Sequence, residues 1–114
     1  MSQLTNLTPN IRLSIRNLDS ESGSVFGRGI ADLCLGVREK GSLNAAAKSI
    51  GMAYSKAWRI IKETEAALDV QLLNRDGAHG SDLTEEGNIL LDSYLEIAKR
   101  VQAAAEKEYK RLIG

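Results

Sequence analysis

Between Gly41 and Glu65 (GSLNAAAKSIGMAYSKAWRIIKETE) the apolar positions fall into two helical runs hinged on one glycine. Behind Ser42, placed as an N-cap, Leu43, Ala46, Ala47 and Ile50 recur at i, i+3, i+4 and i+7, which predicts a short helix with one buried side. Gly51 breaks the pattern as a residue free to adopt positive φ, and Met52 is placed to plug the corner. The next helix, to about Leu68, turns Ala57, Ile60, Ile61, Thr64 and Leu68 inward, while Tyr54, Ser55, Trp58, Arg59 and Lys62 recur on another side. Upstream, Ile30, Leu33, Cys34 and Val37 form a further helical stripe, expected to stop where Lys40 precedes Gly41. Pro9 to Leu18 alternates, with Ile11, Leu13 and Ile15 on one parity and Arg12, Ser14 and Arg16 on the other, which predicts a half-buried strand. The Ser- and Gly-rich stretch from Asp19 to Gly29 reads as a loop pinned to the core through Val25 and Phe26.

Downstream, Val70–Asn74 and Ser81–Leu83 are short strand-like pieces joined by Arg75 to Gly80, a hairpin placed as a wing. Thr84, followed by Glu85 and Glu86, caps a last helix that continues to about Ile113 and would be on the order of 43 Å long. Its apolar positions Leu91, Tyr94, Ala98, Val101 and Ala105 step by three and four, and Tyr109 and Leu112 follow after a slip. Such a seam either packs along its own domain or meets a second helix. The length of the distal half favours a dimer contact.

Two helices, a glycine turn and a polar, aromatic and basic outer face make a helix-turn-helix pattern. The predicted fold is mainly α with a small β component: a winged helix-turn-helix with an N-terminal strand and a long C-terminal dimerisation helix. Residues 1–114 are expected to form one domain, divided into N-terminal strand and loop (1–29), helix and helix-turn-helix (30–69), wing (70–84) and long helix (85–113).

Length supports that count, because 114 residues bury one core. A formal net charge of +0 argues against a crude polycation, so any nucleic-acid surface must come from segregated charge. Cys34 is the only cysteine, which excludes an internal disulfide, and its place in an apolar stripe reads as core. His79, the only histidine, lacks neighbouring ligands and is a poor metal site; at a hairpin tip it is either solvated or a contact to a nucleic-acid backbone. No nucleophile–base grouping or phosphate loop can be assembled, so neither an enzyme nor a cofactor is expected. The start has no basic n-region with an apolar core, and no stretch reaches membrane-spanning length, so a cytoplasmic protein with no membrane partner is expected.

The run from Gly41 to Leu91, with GSLNAAAKSIG, AYSKAWRIIKETE and LLN followed by SDLTEEGNILL, resembles the winged helix-turn-helix DNA-binding domain of the molybdenum-dependent transcriptional regulator (ModE) family. Its GS, AAA and TEEG framework also resembles, more distantly, LysR-type regulators. Tyr54 with Ala57-Trp58 is the element that points to the ModE-like group. The resemblance implies a homodimer on a roughly palindromic double-stranded DNA operator, with the helix from Tyr54 in the major groove and the wing along the backbone. Full-length ModE members carry a C-terminal molybdate-binding domain; the stretch to Gly114 holds no such sensor, and molybdate responsiveness is not expected. Two departures are a shorter wing, with only Gly77 and Gly80 around Ala78-His79, and Ala53 where a Ser or Thr N-cap is common.

Arg59 is the candidate base reader, since a guanidinium contacts guanine O6 and N7 together, whereas Lys62 and flanking Lys56 suit phosphates. Tyr54 and Ser55 can donate to phosphate or a base edge from the first turn. Lys48 and Arg75 are candidate phosphate contacts. Trp58 either packs against the neighbouring helix or extends its indole N–H to phosphate. The alternative function is a winged-helix protein-interaction module, or a DNA-binding subunit partnered with a separate sensor protein. The basic face, with Glu63 and Glu65 toward its far end, favours DNA.

Overall fold

Two helices meet where one of them lacks a side chain. In the structure, a computed structural model describing residues 3–75 and 80–114, α1 (Arg28–Lys40) buries Ile30, Ala31, Leu33, Cys34 and Val37. Across from it α2 (Leu43–Ser49) buries Leu43, Ala46 and Ala47. A Cβ on Gly36 would lie 2.6 Å from the Ala46 Cβ and 3.1 Å from its Cα, closer than packed atoms approach. The predicted caps form: Gly41 takes φ 81° and donates to the Val37 carbonyl, and Ser42 Oγ accepts from the Ala45 amide. α1 begins two residues earlier than its apolar stripe.

Ile50, expected on the buried side of α2, is exposed. The Ala47 carbonyl accepts from the amides of both Ile50 and Met52, so the chain has already left the helix at that point. Gly51 then takes φ 70°, and half-buried Met52 packs on the core. α3 (Tyr54–Leu68) follows, burying Ala57, Ile61, Thr64 and Ala67.

β1 (Leu73–Arg75) pairs antiparallel with β2 (Ser81–Leu83), setting Leu73 opposite Leu83 and Arg75 opposite Ser81. The strand starts later than the expected Val70, because the Leu72 and Leu73 amides are engaged by the Glu65 carboxylate. The hairpin base is tied to the α1–α2 turn by the Ser81 amide, which donates to the Gly41 carbonyl. Thr84 caps α4 (Glu85–Ile113) as expected, its Oγ1 accepting from the Gly87 amide at 2.8 Å with Glu85 and Glu86 in the first turn. The Arg38 guanidinium joins α1 to α4 through Asn88 Oδ1 and Asp92 Oδ1.

No N-terminal strand forms over Pro9–Leu18. One antiparallel bridge, Ile15 with Phe26, is made there, and Ile11 is exposed. The loop supplies a single bridging residue rather than a second strand. It is pinned as expected, since Phe26 is fully buried and meets the Tyr94 ring edge to face at 5.4 Å. The proposed helix seam is also divided. Leu91 and Tyr94 belong to the chain's own core. Ala98, Ala105 and Tyr109 are half-buried on the face along which residues 4–13 run, and Val101 and Leu112 are exposed.

Two outcomes are expected. Gly36→Ala should lower stability by about 1–3 kcal/mol through overpacking, partly offset by better helix propensity, while Gly29→Ala, which meets nothing within 4 Å, should be neutral or stabilise by up to about 1 kcal/mol. Urea unfolding of the two variants checks the difference in sign. Burial, reinforced by Glu65, pushes the Cys34 thiol up from 9.0 to about 12. The unfolded thiol therefore ionises first, and stability present below pH 9.0 is lost as pH rises toward 12. The advantage of wild type over Cys34→Ala should shrink across that window; a constant difference would contradict it.

Candidate nucleic-acid interface

α3 has one face committed to the core and one to solvent. Ala57 and Ile61 are fully buried on the first, joined by Thr64 and Ala67. On the second, Ser55, Arg59, Lys62 and Ala66 follow at steps of four, three and four, all exposed. Lys56 and Glu63 border this row on one side and Tyr54 on the other. The row sits on a helix whose opposite side is fixed, so its side chains share a rigid base.

Trp58 lies at the boundary. It is half-buried against the core, and its ring meets Tyr54 edge to face at 6.2 Å and 83°. Its packing is therefore structural, and it steadies the exposed Tyr54 ring at the start of the helix. Ala53, the N-cap, offers no side-chain acceptor to the first-turn amides, and that turn has no acidic residue. The positive end of α3 is left uncompensated beside Tyr54, Ser55 and Lys56, an arrangement suited to an anion.

Arg59 forms an i,i+4 ion pair with Glu63, 3.6 Å between Nη1 and Oε1. Both side chains are more than half exposed, and pairs of this kind contribute only about 0.3–0.5 kcal/mol. A bidentate guanine contact at about 1–3 kcal/mol would outweigh it, so the pair does not withhold Arg59 from DNA. Lys48 is exposed in the last turn of α2, the helix preceding the turn. Arg75 ends β1, which places its backbone at the base of the hairpin. His79 lies outside the described residues.

Glu65 is not an acid on the recognition face. Half-buried, it turns inward and accepts from the Leu72 amide at 2.8 Å and the Leu73 amide at 3.2 Å. That clamp fixes where the hairpin leaves α3. The sequence holds one faint signal for it, a Glu in register with the inward stripe, and none for the backbone amides it meets. Among the described residues no group of three His, Cys, Asp or Glu could hold a metal ion, and no helix is long and apolar enough to cross a membrane.

Residues 32–88 match the family described as bacterial regulatory helix-turn-helix protein, lysR family. The chain is 44% identical over 75 residues to the HTH-type transcriptional regulator CrgA of Neisseria meningitidis, in both serogroup C and serogroup B sequences. That alignment covers 63% of this chain and 23% of CrgA, so the chain spans about a quarter of the length of these curated relatives. Among solved structures, the CbnR_DBD-DNA complex superposes with a TM-score of 0.52 at 31% identity, covering 71% of this chain and 87% of that one. The BenM_DBD/catB site 1 DNA complex gives 0.56 at 23% identity over 74% and 92%, a likeness of fold. These matches fall on the LysR-type side of the resemblance. They lend no support to the ModE-like assignment drawn from Tyr54 and Ala57-Trp58, residues that the structure occupies with mutual packing and the core.

Removing the Glu65 carboxylate should loosen the junction between α3 and β1. Glu65→Ala is expected to cost about 1.5–3 kcal/mol in urea unfolding, the range for hydrogen bonds to a charged group, and Glu65→Gln less because it keeps an acceptor. Equal stability of Glu65→Ala and wild type would mean that water satisfies both amides.

Proposed function

The chain belongs to the lysR family of bacterial regulatory helix-turn-helix proteins, and from that membership we propose that it is a sequence-specific DNA-binding transcriptional regulator acting as a homodimer. The observation that carries the reading is the exposed row Ser55, Arg59 and Lys62 on the rigid outer face of α3. Its spacing matches one side of a helix laid in a major groove, where the first turn and the middle of the helix reach base edges. Arg59 reads a base, while Tyr54, Ser55, Lys56 and Lys62 meet phosphates or base edges near the open helix N-terminus. Trp58 supports Tyr54. Lys48 and Arg75 contact flanking phosphates, and His79, which lies outside the described residues, is either solvated or a further backbone contact. A neighbour at 31% identity solved as a DNA complex supports DNA as the ligand.

A homodimer on a roughly palindromic operator follows from the length of α4 and its exposed Ile97, Val101 and Leu112. A DNA-binding subunit partnered with a separate sensor protein is the form of this reading in which effector response is supplied by another chain. A protein-interaction module is the lesser reading, because the row is basic and open at its positive helix end.

The test is selection from random DNA duplexes at two salt concentrations. Enrichment of a two-fold-symmetric site, with half-sites about one helical turn or a multiple apart, is expected; weak, salt-labile binding without enrichment would refute base reading. On the selected site, Arg59→Ala should cost about 1–3 kcal/mol and relax preference at one base position. Lys48→Ala should weaken all sequences alike and lower the salt slope by about 0.9. Uniform loss from both variants would remove Arg59 from base reading.

A further inference from the structure

Residues 4–13 lie along α4 as a strap that is gripped by its backbone. Tyr94 Oη donates to the Leu13 carbonyl at 3.3 Å, Gln102 Nε2 to the Pro9 carbonyl at 2.8 Å, and Tyr109 Oη to the Leu4 carbonyl at 2.6 Å. The Ile11 amide donates in turn to Gln102 Oε1 at 2.9 Å. Tyr94, Gln102 and Tyr109 are spaced by about two helical turns each, so they form one column of clamps. Because the clamps take main-chain atoms, two of the strap's apolar side chains are left outside, Leu7 at 58% and Ile11 at 44% exposed, while Leu13 packs on the core.

Two clefts open between strap and helix. Leu7 lines one of about 440 Å³ with Ile113, and Ile11 lines one of about 620 Å³ with Leu95. Leu95 and Ile113 are 40% and 39% exposed, and their separation is about five helical turns, so both clefts lie on the same side of α4. Leu7, Ile11, Leu95 and Ile113 thus place apolar side chains on one side of the strap and helix, with Arg28 and Asp32 of α1 bordering the larger cleft. The family match over residues 32–88 includes neither the strap nor the distal part of α4, so this surface belongs to the chain outside the shared domain.

We infer that the strap and α4 together, rather than α4 alone, seat a second copy of this chain, with Leu7 and Ile11 as interface residues; this rests on the homodimer reading above. Area supports a composite face. A helix about 43 Å long and about 10 Å wide offers about 400 Å². A stable interface takes roughly 800 Å² from each partner. A strap laid beside the helix about doubles the width. Charge supports a second copy as the occupant. From Gln3 to Ile11 the strap carries no charged side chain, so that stretch meets its copy about a two-fold axis without like-charge repulsion, while the larger cleft is bordered by both signs, Arg12 and Arg28 with Asp32. At the rim of the smaller cleft, Glu106 and Lys110 have opposite signs, which the same axis can bring into register between copies.

The test is sedimentation velocity on the whole chain over a dilution series, with a thermal melt of each variant as the check on folding. Wild type is expected to dimerise, and the double variant Leu7→Asp/Ile11→Asp to raise the dimer Kd tenfold or more with its melt preserved. Gln102→Ala, which releases the middle clamp, should raise Kd in the same direction and carries the test alone if the double variant does not fold. Leu18→Asp alters an equally apolar, 81% exposed residue off the strap and should leave Kd unchanged. An unchanged Kd in the strap variants overturns the inference and leaves the dimer standing. A wild type that is monomeric throughout overturns both, and an equal loss in Leu18→Asp overturns the assignment to the strap.

Discussion

The absence of a side chain at Gly36 governs the geometry of everything downstream. With a Cβ there overlapping Ala46, α1 and α2 could not keep their separation. α2 is only seven residues long, so it has no register of its own and takes its orientation from α1. The short turn through Ile50, Gly51 and Met52 then hands that orientation to α3. A displacement at the first contact would therefore appear, enlarged by lever arm, at Arg59 and Lys62.

α3 is held from two further directions. Ala57 and Ile61 fix its rotation about its own axis, because a turn in either direction would bring Lys56 or Lys62 toward the core. Glu65 fixes its far end to the backbone entering β1, and the Ser81 amide ties the returning strand to the α1–α2 turn. The hairpin thus closes a loop of contacts around α3. The exposed row is positioned by apolar packing inside and by hydrogen bonds at its end, while the side chains in the row contribute little to that positioning.

What could be read from sequence divides along the same line. Helix starts and stops were legible because Ser42, Thr84 and Gly41 act within three or four residues of themselves, and the outer face of α3 was legible from its period. The N-terminal segment was not. Its alternation resembled a strand, yet its main-chain groups are met by Gln102 and Tyr109, 93 and 105 residues away, and in sequence Gln102 looks like surface and Tyr109 like part of an apolar seam. The seam of α4 was legible as a face but not in its division, since periodicity reports that a face is apolar and not what covers each part of it. Leu91 and Tyr94 are covered by the chain's own core, and their neighbours by the strap. The Ile50 error has a nearer cause: a run of i, i+3, i+4, i+7 continues on paper past the point where the backbone has already turned.

Charge placement connects the two ends of the molecule. With a formal net charge of +0, the chain has little long-range attraction for a polyanion, and beyond a Debye length of about 8 Å at physiological salt only local charge acts. The domain carries a small basic set, Lys48, Lys56, Arg59 and Lys62, with Glu63 beside it, so one copy would neutralise few phosphates. In the proposed regulator, affinity must then come from joining two such faces. Linking two weak sites makes the second contact intramolecular, and a rigid connection can raise avidity by about 10²–10⁴ when its span fits the half-sites. A helix on the order of 43 Å is stiff at that scale, provided that its distal half stays folded beyond the domain. The strap lies along that half. In the proposed dimer its hydrogen bonds would therefore act at a distance from DNA, by keeping straight the element that joins the two basic faces.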